Sequence, residues 1–256
     1  MQKRKIGIIT GASGGLGEEF VKALLQENLD ELWCIARNEA KLDAIMLRYG
    51  EKIRVFPKDL SLNSSIDDLE SVLKEECPDV KFLINNAGIA RMGRSDEFDR
   101  KEVMMYVDLN VKSVVLLTLI VLPFMGNGSH IINMSSQSSF QPLPYINLYA
   151  SGKAFVRSYS RSLNRELDGT GIVVTACCPG WVDTNMLPKE YNGVSIKFPA
   201  LAAPAKVVAK AMKDAKRGRD MSVYSFYVKY LHVLAKLLPQ KLTMDFWLAS
   251  IKKYVR

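Results

Sequence analysis

The chain has 256 residues, of which 48% are hydrophobic and 24% charged, and this composition argues against intrinsic disorder and against an integral membrane protein. Its length can bury a large core, either as one large α/β domain or as two small domains. The net charge is +8, but the basic residues are dispersed, so we expect a solvated basic surface and no nucleic-acid partner.

The cysteines and histidines do not form a metal-ligand pattern. Cys34, Cys77, Cys177 and Cys178 contain no Cys-x-x-Cys pair and the chain has two histidines, so we expect no metal site. This cysteine usage suits a reducing compartment, and the basic start passes at once into an apolar run too short for a signal sequence. The longest apolar run, residues 114–122, also falls short of a membrane span. We therefore expect a cytoplasmic protein.

Short apolar runs alternate with longer amphipathic stretches along the chain. The runs are rich in Ile, Val and Leu without polar alternation, which predicts strands buried on both faces. The predicted strands are residues 5–10, 31–36, 52–57, 81–85, 129–134 and 172–178, with a seventh candidate at 221–224. The predicted helices are residues 16–28, 39–49, 64–76, 101–124 and 148–167. This alternation predicts one α/β domain, with a parallel sheet covered by helices on both faces.

A glycine-rich turn at residues 10–17 follows the first predicted strand and opens the first helix. Its Gly-x-x-x-Gly-x-Gly spacing differs from the usual dinucleotide fingerprint but serves the same physics. It lets the backbone approach a pyrophosphate, whose charge is favoured by free amides at the helix N-terminus. We favour phosphate binding over a plain turn. The candidate cofactor contacts here are Gly11, Ser13, Gly14, Gly15, Leu16 and Gly17.

The end of the second predicted strand bears on the choice of cofactor. An acidic residue there would bind the ribose hydroxyls of NAD, but the chain has Ala36, Arg37 and Asn38. Arg37 can make charge-assisted hydrogen bonds with a 2′-phosphate, each worth about 1.5–3 kcal/mol. We therefore expect NADP(H) to be preferred over NAD(H), with a solvated helix-cap role for Arg37 as the alternative.

Polar residues also follow the third and fourth predicted strands. Asp59 can present a carboxylate to an adenine amino group, and residues 85–88 form a polar turn at the carboxyl edge of the sheet, where ligands bind in open α/β folds. The candidate cofactor contacts in these two turns are Asp59, Leu60, Asn86, Ala87 and Gly88.

Tyr149 and Lys153 lie four residues apart, on one face of a predicted helix. A free tyrosine has a pKa near ~10, and a nearby cation lowers it. A drop of about 3 units requires roughly 4 kcal/mol, to which Lys153 and an oxidised nicotinamide ring would both contribute. The spacing alone also fits a solvated pair, so its meaning depends on the motifs around it.

Together these segments resemble the short-chain dehydrogenase/reductase family, over residues 5–184 or about 70% of the chain. The family's motifs occur in order: the glycine-rich turn, Asp59, residues 85–88, Asn110, Ser135-Ser136, Tyr149 with Lys153, and Pro179-Gly180 followed by Val182 and Thr184. The resemblance implies a single Rossmann-type, three-layer domain with a seven-stranded parallel sheet. It also implies a homodimer or homotetramer.

The resemblance further implies hydride transfer between a nicotinamide and an alcohol or carbonyl group. Tyr149 would donate or accept the proton, Lys153 would lower its pKa and bind the nicotinamide ribose, and Asn110 would hold a water that connects Lys153 to solvent. A serine would hydrogen-bond the reacting oxygen. The family spacing of 13 residues before the tyrosine selects Ser136, with Ser135 and Ser138 as alternatives.

The segment after the sixth predicted strand would surround the nicotinamide in this family. The resemblance makes Thr184 a contact to the carboxamide, with the Val182 backbone beside it and Pro179 and Gly180 in the preceding turn. Two plainer interpretations stay open, namely that Thr184 caps a turn and that Asn110 is a polar residue entering an apolar helix.

Residues 185–204 are expected to form a lid, so the chain divides into a cofactor-binding core at about 1–184, this lid, and amphipathic helices at about 224–256. The lid carries Met186, Leu187, Tyr191, Ile196 and Phe198, and an apolar entrance suits a bulky lipophilic carbonyl. The resemblance then implies a hydroxysteroid dehydrogenase or ketosteroid reductase. The alternatives are a 3-oxoacyl or other lipophilic carbonyl reductase and, since the Tyr/Lys/Ser set is retained, less readily a non-catalytic NADP(H)-binding sensor or scaffold.

The tail carries two apolar stripes. The first places Tyr227, Tyr230, Leu231, Leu234, Leu237 and Leu238 on one helical face, and the second contains Trp247, Leu248, Ile251 and Val255. Such stripes are typical of core or dimer contacts, of a lid over a substrate pocket, or of a basic amphipathic helix in peripheral contact with a membrane.

Overall fold

The computed structural model describes residues 3–187, 190–191, 194–252 and 254. Seven parallel strands form one sheet in the order β3-β2-β1-β4-β5-β6-β9. These strands are β1 (Lys5–Thr10), β2 (Glu31–Ala36), β3 (Ile53–Pro57), β4 (Asp79–Asn85), β5 (His130–Met134), β6 (Val173–Cys177) and β9 (Met221–Ser222). A separate antiparallel pair is formed by β7 (Glu190–Tyr191) and β8 (Val194–Ser195).

The helices lie on both faces of this sheet. They are α1 (Gly15–Leu24), α2 (Glu39–Tyr49), α3 (Asn63–Glu76), α4 (Arg100–Val107), α5 (Ser113–Val121), α6 (Asn147–Glu166), α7 (Pro204–Lys216), α8 (Phe226–Leu237) and α9 (Gln240–Ile251). Short 3₁₀ turns occur at Ser95–Glu97, Leu122–Phe124 and Gln137–Phe140. The prediction of a single Rossmann-type α/β domain with a seven-stranded parallel sheet is thus confirmed.

Two hydrophobic cores separate the three layers. Alternate strand residues point to opposite faces, so the neighbours Ile8 and Ile9 belong to different cores. Phe20 of α1, Leu42 of α2 and Val207 of α7 pack in one core. Leu69 and Leu73 of α3 and Leu117 and Val121 of α5 pack in the other. Burial on both faces explains why the strands read as continuous apolar runs.

The predicted helix at 101–124 is interrupted. A π-helical turn, Asp108–Lys112, separates α4 from α5 and places buried Asn110 in its middle. By length and composition alone, the stretch Arg100–Phe124 could cross a membrane. It is the one such stretch among the described residues. However, Leu117 and Val121 are buried in a core that also contains residues of α3 and β4, so the domain itself uses this apolar face.

Helix α7 was not predicted, because its first residue was assigned to the end of the lid. Its sequence signal is Pro204 at the first helical position, followed by Val207 and Ala211 at helical spacing. Both of these apolar residues are buried against the sheet. An N-terminal proline with a following apolar stripe would therefore have identified this helix.

A buried polar network joins the central strands to helices on one face. Asn85 and Asn133 are register partners on β4 and β5, and Asn85 Nδ2 donates to Asn133 Oδ1 at 2.8 Å and to Thr118 Oγ1 at 3.2 Å. Asn133 Nδ2 in turn donates to Ser160 Oγ at 2.9 Å. Thr118 belongs to α5 and Ser160 to α6, so the network fixes both helices against the sheet immediately below the candidate site.

We expect Asn133→Ala to lower the free energy of unfolding by about 1–3 kcal/mol, because it removes the acceptor of Asn85 and the donor to Ser160 in a buried position. Urea denaturation measures this loss. The matched control is Asn28→Ala in an exposed turn, which should change stability little. Equal losses in the two variants would contradict a stabilising role for the network.

Candidate active site

The predicted site residues converge at one edge of the sheet. The turns after β1, β2, β3, β4 and β6 all leave the carboxyl ends of parallel strands. Strands β1 and β4 are neighbours, and the strand order reverses between them, which is where open α/β sheets bind ligands.

The glycine-rich turn is shaped by close backbone approach. Gly11 has a φ of +63°, and its carbonyl accepts a hydrogen bond from the Gly14 amide at 3.1 Å. A Cβ at Gly17 would overlap the carbonyl oxygen of Gly11, so a side chain is excluded there. Gly14 is the N-cap of α1 and has no side chain to cap the first amides of the helix. Together with the adjacent Ser13 and Leu16, these features leave a concave backbone at the N-terminus of α1.

Asn86 and Ala87 attach the turn after β4 to the turn after β1. The amides of Asn86 and Ala87 each donate to Thr10 Oγ1 at 2.9 Å, and Asn86 Nδ2 donates to the carbonyls of Thr10 and Gly11. Thr10 was missed as a site residue, and the signal for it is a hydroxyl residue at the end of the strand that precedes the glycines.

Arg37 and Asp59 are brought together at the ends of β2 and β3. Arg37 Nη1 lies 4.0 Å from Asp59 Oδ2, and the Arg37 side chain is 58% exposed. Asp59 Oδ1 accepts hydrogen bonds from the backbone and hydroxyl of Ser61, while the next residue, Leu60, is buried in the core. The cap of α2 is Asn38, whose side chain accepts from the Lys41 amide, so Arg37 does not serve as that cap.

The two hydroxyl residues of the candidate catalytic set, Ser136 and Tyr149, lie close to each other. Tyr149 is on the first turns of α6, and Ser136 follows β5 and is 8% exposed. Burial raises the pKa of Tyr149, and the hydrogen bond with Ser136 opposes this rise. The pKa of Tyr149 thus lies above its ordinary value, opposite to the expected lowering, because the cost of burying a tyrosinate exceeds the effect of its hydrogen bond.

The three serines after β5 have different surroundings. Ser135 Oγ donates to the backbone carbonyl of Lys153 at 2.7 Å, which makes Ser135 a structural residue. Ser136 Oγ accepts from the Ser138 amide at 3.1 Å. Ser138 Oγ is buried and has no hydrogen-bond partner among the described residues.

Lys153 is 4% exposed and reaches under Tyr149 to the end of β5. Its Nζ donates to the carbonyl of Met134 at 2.7 Å and lies 5.6 Å from the centroid of the Tyr149 ring. Burial lowers the pKa of Lys153 to about 8.

Asn110 is held by the backbone after β4. Its Nδ2 donates to the Ile89 carbonyl and its Oδ1 accepts from the Ile89 amide, both at 3.1 Å. A Cβ at Gly88 would lie 2.7 Å from Asn110 Oδ1 and 3.4 Å from Lys153 Nζ, so Gly88 is where Asn110 and Lys153 come close to the chain. These backbone contacts distinguish Asn110 from a residue that merely enters an apolar helix.

The turn after β6 closes over the glycine-rich turn. A Cβ at Gly15 would lie 3.0 Å from Thr184 Cγ2, so Thr184 packs against the start of α1. Val182 bridges to Ala202, and the Pro179 carbonyl accepts from the amide of Gln137 at 2.8 Å. With Gly180, these residues form a wall that faces the tyrosine.

One cavity of about 1050 Å³ contains this convergence. Its lining includes ten of the predicted site residues: Leu16, Asn86, Gly88, Ser136, Tyr149, Lys153, Pro179, Gly180, Val182 and Thr184. The opposite walls are mainly apolar. They come from the predicted lid (Met186, Leu187, Ile196 and Phe198) and from the tail (Leu231, Leu234, Leu238, Trp247 and Ile251). Lys189 and Asn192 of the predicted lid, the Tyr191 side chain and Val255 of the tail lie outside the described residues.

The tail is a wall of the cavity, which corrects the expectation of a single apolar face on α8. Leu231, Leu234 and Leu238 line the cavity, whereas Tyr230 and Leu237 are 54% and 75% exposed. Helix α9 is fixed across the opening, since Trp247 Nε1 donates to the Pro144 carbonyl at 2.8 Å.

The burial of Lys153 affects how the free energy of unfolding depends on pH. With a folded pKa of about 8 against an ordinary 10.5, the unfolded chain binds the proton more tightly. This group therefore makes the free energy of unfolding rise with pH between those two values. We expect Lys153→Met to lose this rise, so that its stability relative to the wild type falls by roughly 3 kcal/mol across that window.

Urea denaturation at a series of pH values measures the difference. Lys206→Met on the exposed surface of α7 is the control and should follow the wild type throughout. A constant difference between Lys153→Met and the wild type would contradict a buried, depressed lysine.

Known proteins share this sequence and architecture. A sequence profile described as short chain dehydrogenase matches residues 5–195. An uncharacterized oxidoreductase of Staphylococcus epidermidis is 30% identical over 186 residues, which cover 72% of this chain and 80% of that protein. A short-chain dehydrogenase from Sphingobium yanoikuyae in complex with NADPH is 25% identical, with a TM-score of 0.79 over 94% of this chain and 96% of that one.

A 7β-hydroxysteroid dehydrogenase is 18% identical and superposes with a TM-score of 0.81, over 96% of this chain and 97% of that one. At this identity the likeness shows the fold alone. The family profile spans most of the chain and agrees with the ordered motifs. The protein belongs to the short-chain dehydrogenase/reductase family of oxidoreductases.

Proposed function

We propose that this protein is an NADP(H)-dependent oxidoreductase that interconverts a secondary alcohol and a ketone on a lipophilic substrate. The observation that carries the proposal is that Ser136, Tyr149 and buried Lys153 line one large, mainly apolar cavity, with Lys153 Nζ 5.6 Å from the centroid of the Tyr149 ring. The same cavity is lined by turns suited to a dinucleotide, so cofactor and substrate would meet at the tyrosine.

The residues at the carboxyl edge of the sheet fit a nicotinamide dinucleotide. The glycine-rich turn at Gly11–Gly17 leaves room for a pyrophosphate at the uncapped start of α1. A Cβ would lie within about 3 Å of neighbouring atoms at Gly15, Gly88 and Gly180. Glycine at these three positions therefore avoids steric overlap beside the proposed cofactor site. Asn86, Pro179, Val182 and Thr184 would hold the nicotinamide half, and Asp59 and Leu60 the adenine half.

When bound, the nicotinamide supplies or accepts the hydride. The chain's own task is then to move a proton at the substrate oxygen, for which Tyr149 is placed as donor in reduction and acceptor in oxidation. The Ser138 amide occupies an acceptor site of Ser136 Oγ, which leaves the hydroxyl proton of Ser136 free for the tyrosine or the substrate oxygen. That proton would stabilise the charge that builds on this oxygen.

Lys153 and Asn110 support the tyrosine in this scheme. The ammonium of Lys153 lies 5.6 Å from the centroid of the Tyr149 ring, where a positive charge would favour the tyrosinate. Lys153 would also bind the nicotinamide ribose. Asn110 would hold a water between Lys153 and solvent, since its backbone contacts fix its side chain near the lysine.

The preference for NADP(H) rests on Arg37. Its guanidinium is mostly exposed and stands at the end of β2, where it can reach a 2′-phosphate, and its contact with Asp59 at 4.0 Å is too long to commit it. The NADPH complex of the Sphingobium relative supports a nicotinamide nucleotide as cofactor.

The cavity supports a bulky lipophilic ketone as the substrate class, with a hydroxysteroid or ketosteroid first and a 3-oxoacyl chain as the alternative. The walls of the cavity that face away from the proposed cofactor contacts are mainly apolar, with Leu231, Leu234 and Trp247 among their residues. Two polar atoms beside the reactive end, Gln137 Oε1 and Ser138 Oγ, are buried without a partner among the described residues. A hydroxyl of the substrate, as on a steroid, could donate to Gln137 Oε1, and a carbonyl of the substrate, as in a thioester, could accept from Ser138 Oγ.

The test is oxidation of NADPH, followed by absorbance, with a panel of ketosteroids and 3-oxoacyl thioesters. We expect turnover on one of these classes, and Tyr149→Phe should lower kcat by about 10²–10⁴-fold because it removes the proton donor. The control is Tyr159→Phe on the same helix, which should keep wild-type activity. NADPH affinity should survive in both variants.

Two outcomes would overturn the proposal. Tight NADPH binding without turnover on any member of the panel would indicate a non-catalytic sensor or scaffold. Full activity of Tyr149→Phe would remove the tyrosine from the proton-transfer step.

The charge at position 37 should decide cofactor preference. We expect Arg37→Asp to shift the ratio of kcat/KM for NADPH over NADH toward NADH by about ten- to a hundred-fold, because a phosphate contact of about 1.5–3 kcal/mol is lost. Arg217→Asp, in the exposed segment between α7 and β9, is the control with the same charge change. An unchanged ratio in Arg37→Asp would exclude Arg37 from the phosphate site.

A further inference from the structure

Helix α8 presents an apolar stripe to solvent in addition to the face that lines the cavity. Phe226, Tyr230, Val233 and Leu237 recur at helical spacing on one face and are 84%, 54%, 51% and 75% exposed. We call these four residues the α8 stripe. Monomeric globular proteins rarely leave contiguous apolar patches in water, so such a surface indicates a binding partner.

The stripe lies beside the mouth of the cavity. Tyr227 of α8 and Phe246 of α9 both line the cavity while remaining 39% and 62% exposed, so they form its rim. Phe226 and Tyr230 are neighbours of Tyr227 along the helix. The exposed apolar surface and the apolar interior of the cavity are therefore nearly continuous.

The C-terminal sequence that contains the stripe carries mostly positive charge. Residues 221–256 contain six basic residues and a single acidic one, Asp245. Lys229 and Lys236 are exposed on α8 next to the stripe, and exposed Lys241 begins the next helix. None of these three lysines has an ion-pair partner among the described residues.

We propose that the α8 stripe and its lysines dock the protein on an anionic lipid surface and hold the cavity mouth against it. An exposed helix with bulky apolar residues on one face and lysines beside them is the pattern of an interfacial helix. The apolar residues would insert at the headgroup boundary while the ammonium groups contact lipid phosphates. A lipophilic substrate could then pass from the bilayer into the cavity without crossing water. This part of the inference rests on the proposed function.

The same charges make a second copy of this chain an unfavourable binding partner for the α8 stripe. In a two-fold contact each surface meets itself, so Lys229 and Lys236 of one copy would approach the same lysines of the other. Within residues 221–256 of the sequence, Asp245 is the single acidic residue that could offset that repulsion, whereas an anionic bilayer offers many counter-charges.

The experiment is co-sedimentation of the full-length protein with phosphatidylglycerol vesicles and with phosphatidylcholine vesicles. We expect binding to phosphatidylglycerol that weakens with added salt, and much weaker binding to phosphatidylcholine. Lys229→Glu/Lys236→Glu should lower partitioning by at least about 25-fold, since each lysine near an anionic surface contributes roughly fivefold. Phe226→Ser/Leu237→Ser should abolish binding.

Matched controls separate position from composition. Lys41→Glu/Lys206→Glu makes the same charge change on α2 and α7, and Leu47→Ser removes an apolar side chain that is 84% exposed on α2. Both controls should bind vesicles like the wild type. Turnover of a ketone in free solution should be equal in all these proteins, whereas turnover of a ketosteroid dissolved in the vesicles should fall only in the α8 variants.

Other results would overturn the proposal. Absence of wild-type binding, or equal loss in the controls and the α8 variants, would exclude docking through this face. A dimer that the α8 variants dissociate, without vesicle binding, would assign the stripe to contact between copies. Vesicle binding with no turnover on any ketone would instead refute the proposed function and leave the docking surface in place.

Discussion

The arrangement of the site depends on an ammonium group enclosed by protein. Lys153 reaches from α6 to the carbonyl that ends β5, while the hydroxyl of Ser135 holds the carbonyl of Lys153 itself. These two hydrogen bonds join one turn of the helix to one strand end. Tyr149 is one helical turn earlier, so its position over the cavity follows from the same two bonds. The charge is buried at a cost, which is visible in its lowered pKa.

The energetic balance at the tyrosine follows from this burial. An apolar cavity suits a lipophilic ligand but makes a tyrosinate expensive, and burial raises the pKa of Tyr149. The contact with Ser136 acts in the opposite direction. The balance between these two effects leaves the pKa of Tyr149 above its ordinary value.

Much of the fold could be predicted from sequence because its signals are local. Strands buried on both faces read as apolar runs, so β1 and β2 were predicted with the observed bounds. Most of the cofactor-contact motifs could be predicted because they follow strands, and parallel strands end at one edge of the sheet, whereas Asn110, Tyr149 and Lys153 lie in helical segments. The choice of Ser136 relied on family spacing and stays a prediction.

What could not be predicted depends on tertiary contacts. The apolar residues of α8 look like one face in sequence, but packing divides them between the cavity and solvent. The direction of the Tyr149 pKa shift depends on burial, which residue spacing does not reveal. The break between α4 and α5 was missed because Asp108–Lys112 carries no proline or glycine to mark it.

That break constrains how the chain can vary. The π-helical turn holds one residue more than a regular turn, and the extra residue lets Asn110 bond to both backbone groups of Ile89. Deleting one residue from this turn would restore a regular helix, and α4 and α5 would keep their faces toward the core because the π-turn holds its extra residue within a single revolution. The Asn110 side chain would then lose its position opposite Ile89. Substitutions here are therefore easier to accommodate than changes in length.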